Sequence, residues 1–153
     1  MSMPSWPAGS NAARLDVKRV EELIDARFPQ IHSAGRNLVV EEVGFRTARV
    51  RMKANPRHIR PGGTVSGPSM FSLADFSVYV AVIATLGERG IDAVTSNLNI
   101  NFLAKPEPAD MTAEVRLIRL GRRLAVGEIE LYSEGAPEMV AHAIATYALP
   151  AMG

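Results

Sequence analysis

Within the stretch TVSGPSMFSLAD, residues 64–75, two residues have the type and setting for chemistry: a carboxylate, Asp75, and a glycine, Gly67, in front of Pro68. Asp75 sits well inside the most apolar run of the chain, and no basic residue occurs between Ser66 and Gly87 to pair with it. Burying a carboxylate costs several kcal/mol unless charge or hydrogen bonds offset the loss of water. That cost is tolerated mainly where function requires it, so Asp75 reads as a functional group before it reads as a structural one. Gly67 stands where a helix starts. A glycine there admits a ligand close to the backbone, and the free N–H groups, with the positive end of the helix dipole, favour negative charge developing on that ligand. Pro68 supplies no N–H but has its φ preset for the first turn, which leaves the Gly67 amide as the candidate donor. Eight residues of helix rise by about 12 Å, so Gly67 and Asp75 of one chain cannot both touch one reacting carbonyl. A site using both therefore needs a second subunit whose helix runs antiparallel to the first, that is, at least a two-fold dimer.

The element that must carry these residues is a helix over the run 70–86, near membrane-spanning length but holding Asp75 and several serines and lacking charged flanks suited to anchoring, hence a core helix. On a 3.6-residue turn, Ser69, Ser72, Asp75 and Tyr79 share one sector roughly a third of the circumference wide. The serines have an ordinary explanation in capping. Upstream, Val17, Val20, Leu23, Ile24 and Phe28 recur at helical spacing among charged residues, which predicts a surface amphipathic helix over 15–28 with Asp16 as N-cap. NLVVEEV and FRTARVRMK read as two strands, and ANPRHIRPGGTVSGP as a shaped loop. Four further strands are predicted over 93–103, 111–120, 124–133 and 139–149, with separators KPEPAD, GRR and EGAPE each short enough for antiparallel neighbours. Along the first of these, Thr95, Asn97, Asn99 and Asn101 alternate with Val94, Ser96, Leu98, Ile100 and Phe102; the asparagines suit a wet cleft, an interface or a solvent face equally. A long helix that is apolar on most sides must be enclosed on most sides, and in so short a chain only a strongly curved sheet does this. The expected class is α+β: a hotdog arrangement of a long central helix wrapped by a curved antiparallel sheet of five to six strands, plus an N-terminal amphipathic helix.

The 153 residues suit a single domain over 14–153, preceded by a loose tail, 1–13, that has two prolines, no basic cluster and no continuous apolar segment. With 47% hydrophobic and 22% charged residues and a formal net charge of +1, the chain reads as an ordinary globular protein with neither nucleic acid nor membrane as a partner. Zero cysteines exclude disulfides, thiolate metal sites and a cysteine nucleophile; the cytoplasm is the expected compartment. His32, His58 and His142 have no ligand-like spacing, so no metal is expected.

Three segments, GGTVSGPSMFSLAD, AVTSNLNINFLAKP and LGRRLAVGEIELYSEGAPEMVAHAIATYAL, taken together resemble the hotdog-fold acyl-CoA thioesterases of the phenylacetate-degradation (PaaI) type, over roughly residues 37–149. The resemblance implies hydrolysis of a small or medium acyl-CoA thioester, aromatic ones included, with coenzyme A entering only as part of the substrate. It implies Asp75 as general base or nucleophile, the Gly67 N–H as oxyanion donor and Thr95 as a residue that places the water. The sites would be built across a homodimer that pairs again into a tetramer. The histidine and asparagine of the family pattern fall at Ser66 and Arg60, and its second glycine at Pro68; Ser66 and Arg60 are then expected to line the pocket, with Ser72 and Tyr79 on the helix facing the substrate. Arg122, in the GRR turn, is expected to meet coenzyme A phosphates, while Arg123 reads as a solvated hairpin end. Two other readings stay open: a non-catalytic acyl-CoA-binding protein on the same fold, favoured by the missing histidine, and last a dehydratase, which relies on a histidine paired with an acid.

Overall fold

The computed structural model describes residues 13–151; the expected N-terminal tail, all but Ala13, lies outside the described residues. The first helix, α1 (Val17–Arg27), buries Val20, Leu23 and Ile24, and Asp16 caps it by accepting a hydrogen bond from Arg19 N–H at 2.9 Å. Pro29 prevents its continuation, and a short 3-10 turn, Pro29–His32, follows. Strands β1 (Leu38–Gly44) and β2 (Thr47–Met52) form a hairpin, and a shaped loop containing a second 3-10 turn, Pro56–His58, leads to the long helix α2 (Gly67–Leu86). A third 3-10 segment, Gly87–Asp92, delivers the chain to β3 (Val94–Phe102), followed by β4 (Met111–Leu120), β5 (Leu124–Ser133) and β6 (Met139–Ala148).

All six strands make one antiparallel sheet in the order β1-β2-β4-β5-β6-β3. The sheet wraps α2, which touches every strand, and the helix residues Leu73, Ala74, Val78, Val80, Ala81, Val82, Ile83 and Ala84 are wholly buried. Its length and composition would suit a membrane, but here it is the core. This is the hotdog arrangement expected from the sequence. The seat for the helix is made of small residues: Ala113, Ala125, Ala141, Ala143 and Ala145 face inward with no exposure. At Gly127 a Cβ would stand 3.1 Å from a Val78 methyl, so the helix packs directly on the backbone of β5 here and a side chain would require Val78 to give by a few tenths of an ångström.

Two sequence expectations need correction. The Pro-rich link 105–110 does not join neighbours: β3 pairs with β6, whereas β4 pairs with β2 and β5, so the link crosses between non-adjacent strands. And β3 does not keep strict alternation. Its register shifts between Thr95 and Asn97, because Thr95 pairs with Tyr147 but Asn97 pairs with Thr146. Ser96 is the extra residue of a bulge, and a bulge moves everything beyond it to the opposite face. Thr95 thus faces inward with the buried Tyr147, while Asn97, Asn99 and Asn101 share the outer face with Thr146, Ile144 and His142. In the single chain the asparagines lie on the exposed outer face, a position that an interface and a solvent face share.

Candidate active site

Asp75 lies two turns into α2, on the part of the helix that the sheet leaves partly open: Leu73, Ala74 and Phe76 around it are buried, whereas Phe71 and Ser72 are exposed and Asp75 is half-buried. No cation pairs with it among the described residues. Its partners are two hydroxyls brought in by adjacent strands: Thr95 Oγ1 on β3 donates to Oδ1 at 2.7 Å, and Tyr147 Oη on β6 donates to the same oxygen at 2.6 Å. Tyr147 Oη is also 2.9 Å from the Asp75 carbonyl oxygen. Because Thr95 and Tyr147 are directly paired across the β3–β6 ladder, the two donors arrive side by side, an arrangement that depends on the bulge at Ser96. With Oδ1 engaged twice, Oδ2 has no protein partner among the described residues. A carboxylate held in this way presents one oxygen in a fixed direction.

That carboxylate borders a cavity of about 690 Å³. Asp75, Ser72, Thr95 and Tyr147 form its polar side; Phe76 and Tyr79 of α2, Phe28 and Ile31 after α1, Leu38 of β1, and Ile91, Ala93 and Val94 form most of the rest. Arg27 and Asp92 stand at its edge and pair with each other at 3.6 Å. The size and the mostly apolar lining with a few converging polar groups suit a small-molecule site. Tyr79 is buried and donates to Ile91 O at 2.7 Å, which ties α2 to the segment entering β3; its phenol is pushed up to about 12, mainly by burial and then by the nearby Asp92. Tyr147 stacks on Tyr79 with ring centroids 6.2 Å apart, and burial first, then the adjacent Asp75, drives its phenol well above the ordinary range. Both tyrosines are therefore neutral hydrogen-bond donors at any physiological pH.

The other sequence-predicted residues lie elsewhere. Ser66 is the N-cap of α2: its Oγ accepts from Ser69 N–H at 3.3 Å and donates to Ser69 Oγ at 2.8 Å. The Gly67 N–H finds no acceptor among the described residues, and the Phe102 ring lies so close that a Cβ on Gly67 would stand 3.3 Å from it. Arg60 is exposed on the preceding loop, with its N–H bonded to Thr64 O, and Arg122 is exposed at the β4–β5 turn, where its carbonyl accepts from Arg89. None of Arg60, Ser66, Gly67 and Arg122 borders the cavity around their own chain's Asp75, whereas Ser72, Tyr79 and Thr95 do. No cluster of potential metal ligands occurs among the described residues.

A histidine does come near the start of α2, although not by sequence proximity. The Ile59–Val65 bridge folds the loop back so that His58 O accepts from Ser66 N–H at 2.6 Å. Burial, with Arg57 adding to it, lowers the His58 pKa; its Nδ1 is buried without a partner among the described residues.

The family follows from segment 62–140, which matches the model of the Thioesterase superfamily. The chain belongs to that superfamily. A crystal structure from Silicibacter sp. TM1040, named a candidate thioesterase, is 41% identical, with 93% of this chain and 96% of that one covered and a TM-score of 0.81. An esterase candidate from Saccharolobus solfataricus is 35% identical over 100 residues; the match spans 65% of this chain and 65% of that protein's length. A hypothetical thioesterase from Streptococcus pneumoniae, solved with coenzyme A, shares the fold at 20% identity, with 89% and 98% of the chains covered and a TM-score of 0.69. Gly67, Asp75 and Thr95 all fall inside the segment that matches the superfamily, but Tyr147 and the α1 contributions to the cavity fall outside it.

Sequence reasoning missed Tyr147 and the wall from α1. A signal for the tyrosine was present: the inward positions of β6 read Ala141, Ala143, Ala145, Tyr147, so one large polar-tipped ring ends a row of alanines.

Proposed function

We propose that this protein hydrolyses small or medium acyl-CoA thioesters at sites shared between two copies of the chain. The observation that carries the reading is the Asp75 carboxylate, fixed through Oδ1 by Thr95 and Tyr147 at the border of an apolar cavity and left with Oδ2 unengaged. In this reading Oδ2 takes a proton from water as the water attacks the thioester carbonyl, or attacks that carbonyl itself. The negative charge on the carbonyl oxygen is received by the unpaired Gly67 N–H at the start of the partner subunit's α2. With Asp75 as base, collapse of the tetrahedral species expels the coenzyme A thiolate, which takes the proton held by Asp75; with Asp75 as nucleophile, the thiolate is protonated from solvent and a water then hydrolyses the acyl–Asp75 anhydride to the free acid and the restored carboxylate.

A pairing of two copies is supported by β3. It is an edge strand, with one side of its backbone free, and Val94, Phe102 and Leu103 at or beside it are exposed. Such an edge invites another strand. The superfamily membership supports the reaction class, and the pneumococcal relative solved with coenzyme A supports the leaving group. The fold itself is compatible with other functions, so the residues around Asp75 bear the argument.

The test is thiol release from a panel of acyl-CoA esters by the wild type and by Asp75→Asn, with the mass in solution measured alongside. The reading predicts turnover by the wild type, loss of at least ~10²-fold in the variant with its fold retained, and a dimer or a multiple of it. Equal rates in the two proteins, or a monomer with full activity, would refute it. Tight acyl-CoA binding without thiol release would select the non-catalytic reading instead. A single turnover in ¹⁸O water that leaves label in Asp75 establishes the nucleophilic role, since a general base acquires none.

A further inference from the structure

Resting on the thioesterase reading of the Asp75 site, we infer that the end of α1 is the far wall of the acyl subsite and that Phe28 sets the size of the acyl group accepted. The cavity has a direction. Asp75, Thr95 and Tyr147 mark the end where the carbonyl would react, and Tyr79 follows on α2 one turn, or about 6 Å, further along. The Phe28 ring then stands edge-on to Tyr79, with centroids 6.1 Å apart and planes at 86°. An acyl chain running from Asp75 along Tyr79 ends against Phe28.

The backbone that carries the ring is held in this position. Phe28 is the C-cap of α1, its N–H bonded to Ile24 O at 2.7 Å, and Pro29 stops the helix behind it. The Arg27–Asp92 pair ties the same corner to the segment leading into β3. Phe28 is 36% exposed, although Val20, Leu23 and Ile24 of the α1 apolar stripe are buried; a large ring left partly uncovered beside a cavity is available to a ligand. The wall also lies outside segment 62–140 that matches the superfamily, whereas Gly67, Asp75 and Thr95 lie inside it, Tyr147 alone of the groups at the reacting end lying beyond it. Chemistry and selection of the acyl group are thus assigned to different parts of the chain, and the N-terminal helix belongs to the site.

The experiment measures kcat/KM over a straight-chain acyl-CoA series for the wild type, Phe28→Ala and Phe28→Trp. Phe28→Ala is expected to shift the preferred acyl group to a longer one, changing the long-to-short ratio by about tenfold or more, and Phe28→Trp to shift it to a shorter one. Loss of the same factor for every substrate, or unchanged ratios in both variants, would overturn the inference while leaving the thioesterase reading intact, because wild-type turnover tests that reading separately. If the wild type binds acyl-CoA esters without turnover, calorimetric affinities over the same series replace kcat/KM. The same opposite shifts are then required of the two variants.

Discussion

Replacing Tyr147 by phenylalanine removes one hydroxyl and nothing else from the arrangement around Asp75. The ring, 3% exposed and stacked at 6.2 Å on Tyr79, is retained, as is its place opposite Thr95 in the β3–β6 ladder. What disappears is the 2.6 Å bond to Asp75 Oδ1, together with the longer 2.9 Å contact to the Asp75 carbonyl oxygen. A hydrogen bond to an ionised group is worth about 1.5–3 kcal/mol net. Here the carboxylate is half-buried and keeps the Thr95 bond at 2.7 Å, which places the loss near the lower end, about 1.5 kcal/mol. The terminal torsion of an aspartate is soft, so losing one of two anchors lets Oδ2 swing away from its working direction. If that energy is what holds the productive orientation, kcat falls about tenfold while KM stays close to wild type. The assay is steady-state thiol release, with thermal unfolding as a control, where the same loss lowers Tm by about 3–6 °C for a chain of this size. Thr95→Val should act in the same way. Since both hydroxyls use one oxygen, either alone still restrains the carboxylate, and the double variant should lose more than the product of the two single losses. A Tyr147→Phe enzyme of full kcat, or losses that simply multiply, would refute the claim that Tyr147 and Thr95 position Asp75 together.

The Gly67 assignment has a purely structural rival, because a Cβ there would press on Phe102. Phe102 is half exposed, so Gly67→Ala should change Tm by no more than a few degrees; the variant keeps the N–H but its Cβ crowds a ligand's approach to it, and kcat/KM should fall at least ~10-fold if a substrate oxygen must come close there, whereas full activity would refute a close approach at this glycine. Alkaline pH gives a test of the buried phenol of Tyr79. Its folded-state value is raised from 10.0 to about 12, so its contribution to stability is complete below about pH 10 and is lost as pH rises toward 12. In Tyr79→Phe the fall in Tm across that window should be smaller than in wild type, and an unchanged pH profile would contradict the burial described for this hydroxyl.

What the sequence made legible was set by local signals. The central helix was legible because an apolar run of that length has few other uses, and β4 and β5 because alternation over most of their length, broken in β4 at Ile118, is bounded by turn residues on both sides; both strands fall on the expected residues, 111–120 and 124–133. The crossover at 105–110 was not legible. A six-residue Pro-rich link suits a hairpin as well as a crossing, and the choice depends on which strands remain free once the helix is covered. The same kind of limit applies to the site. Asp75 stood out because an acid without a cation is conspicuous in an apolar run, but its two partners are 20 and 72 residues away in sequence. Thr95 was grouped with the asparagines because alternation was extended through Ser96, and one inserted residue reverses the face of every residue on one side of it. The bulge is therefore more than an irregularity. Without it, a strand that sends Leu98, Ile100 and Phe102 inward opposite Ala145, Ala143 and Ala141 would turn Thr95 outward with Asn97, and Asp75 would keep only Tyr147. The one extra residue reconciles an apolar inner face over the length of β3 with a hydroxyl donor at its start.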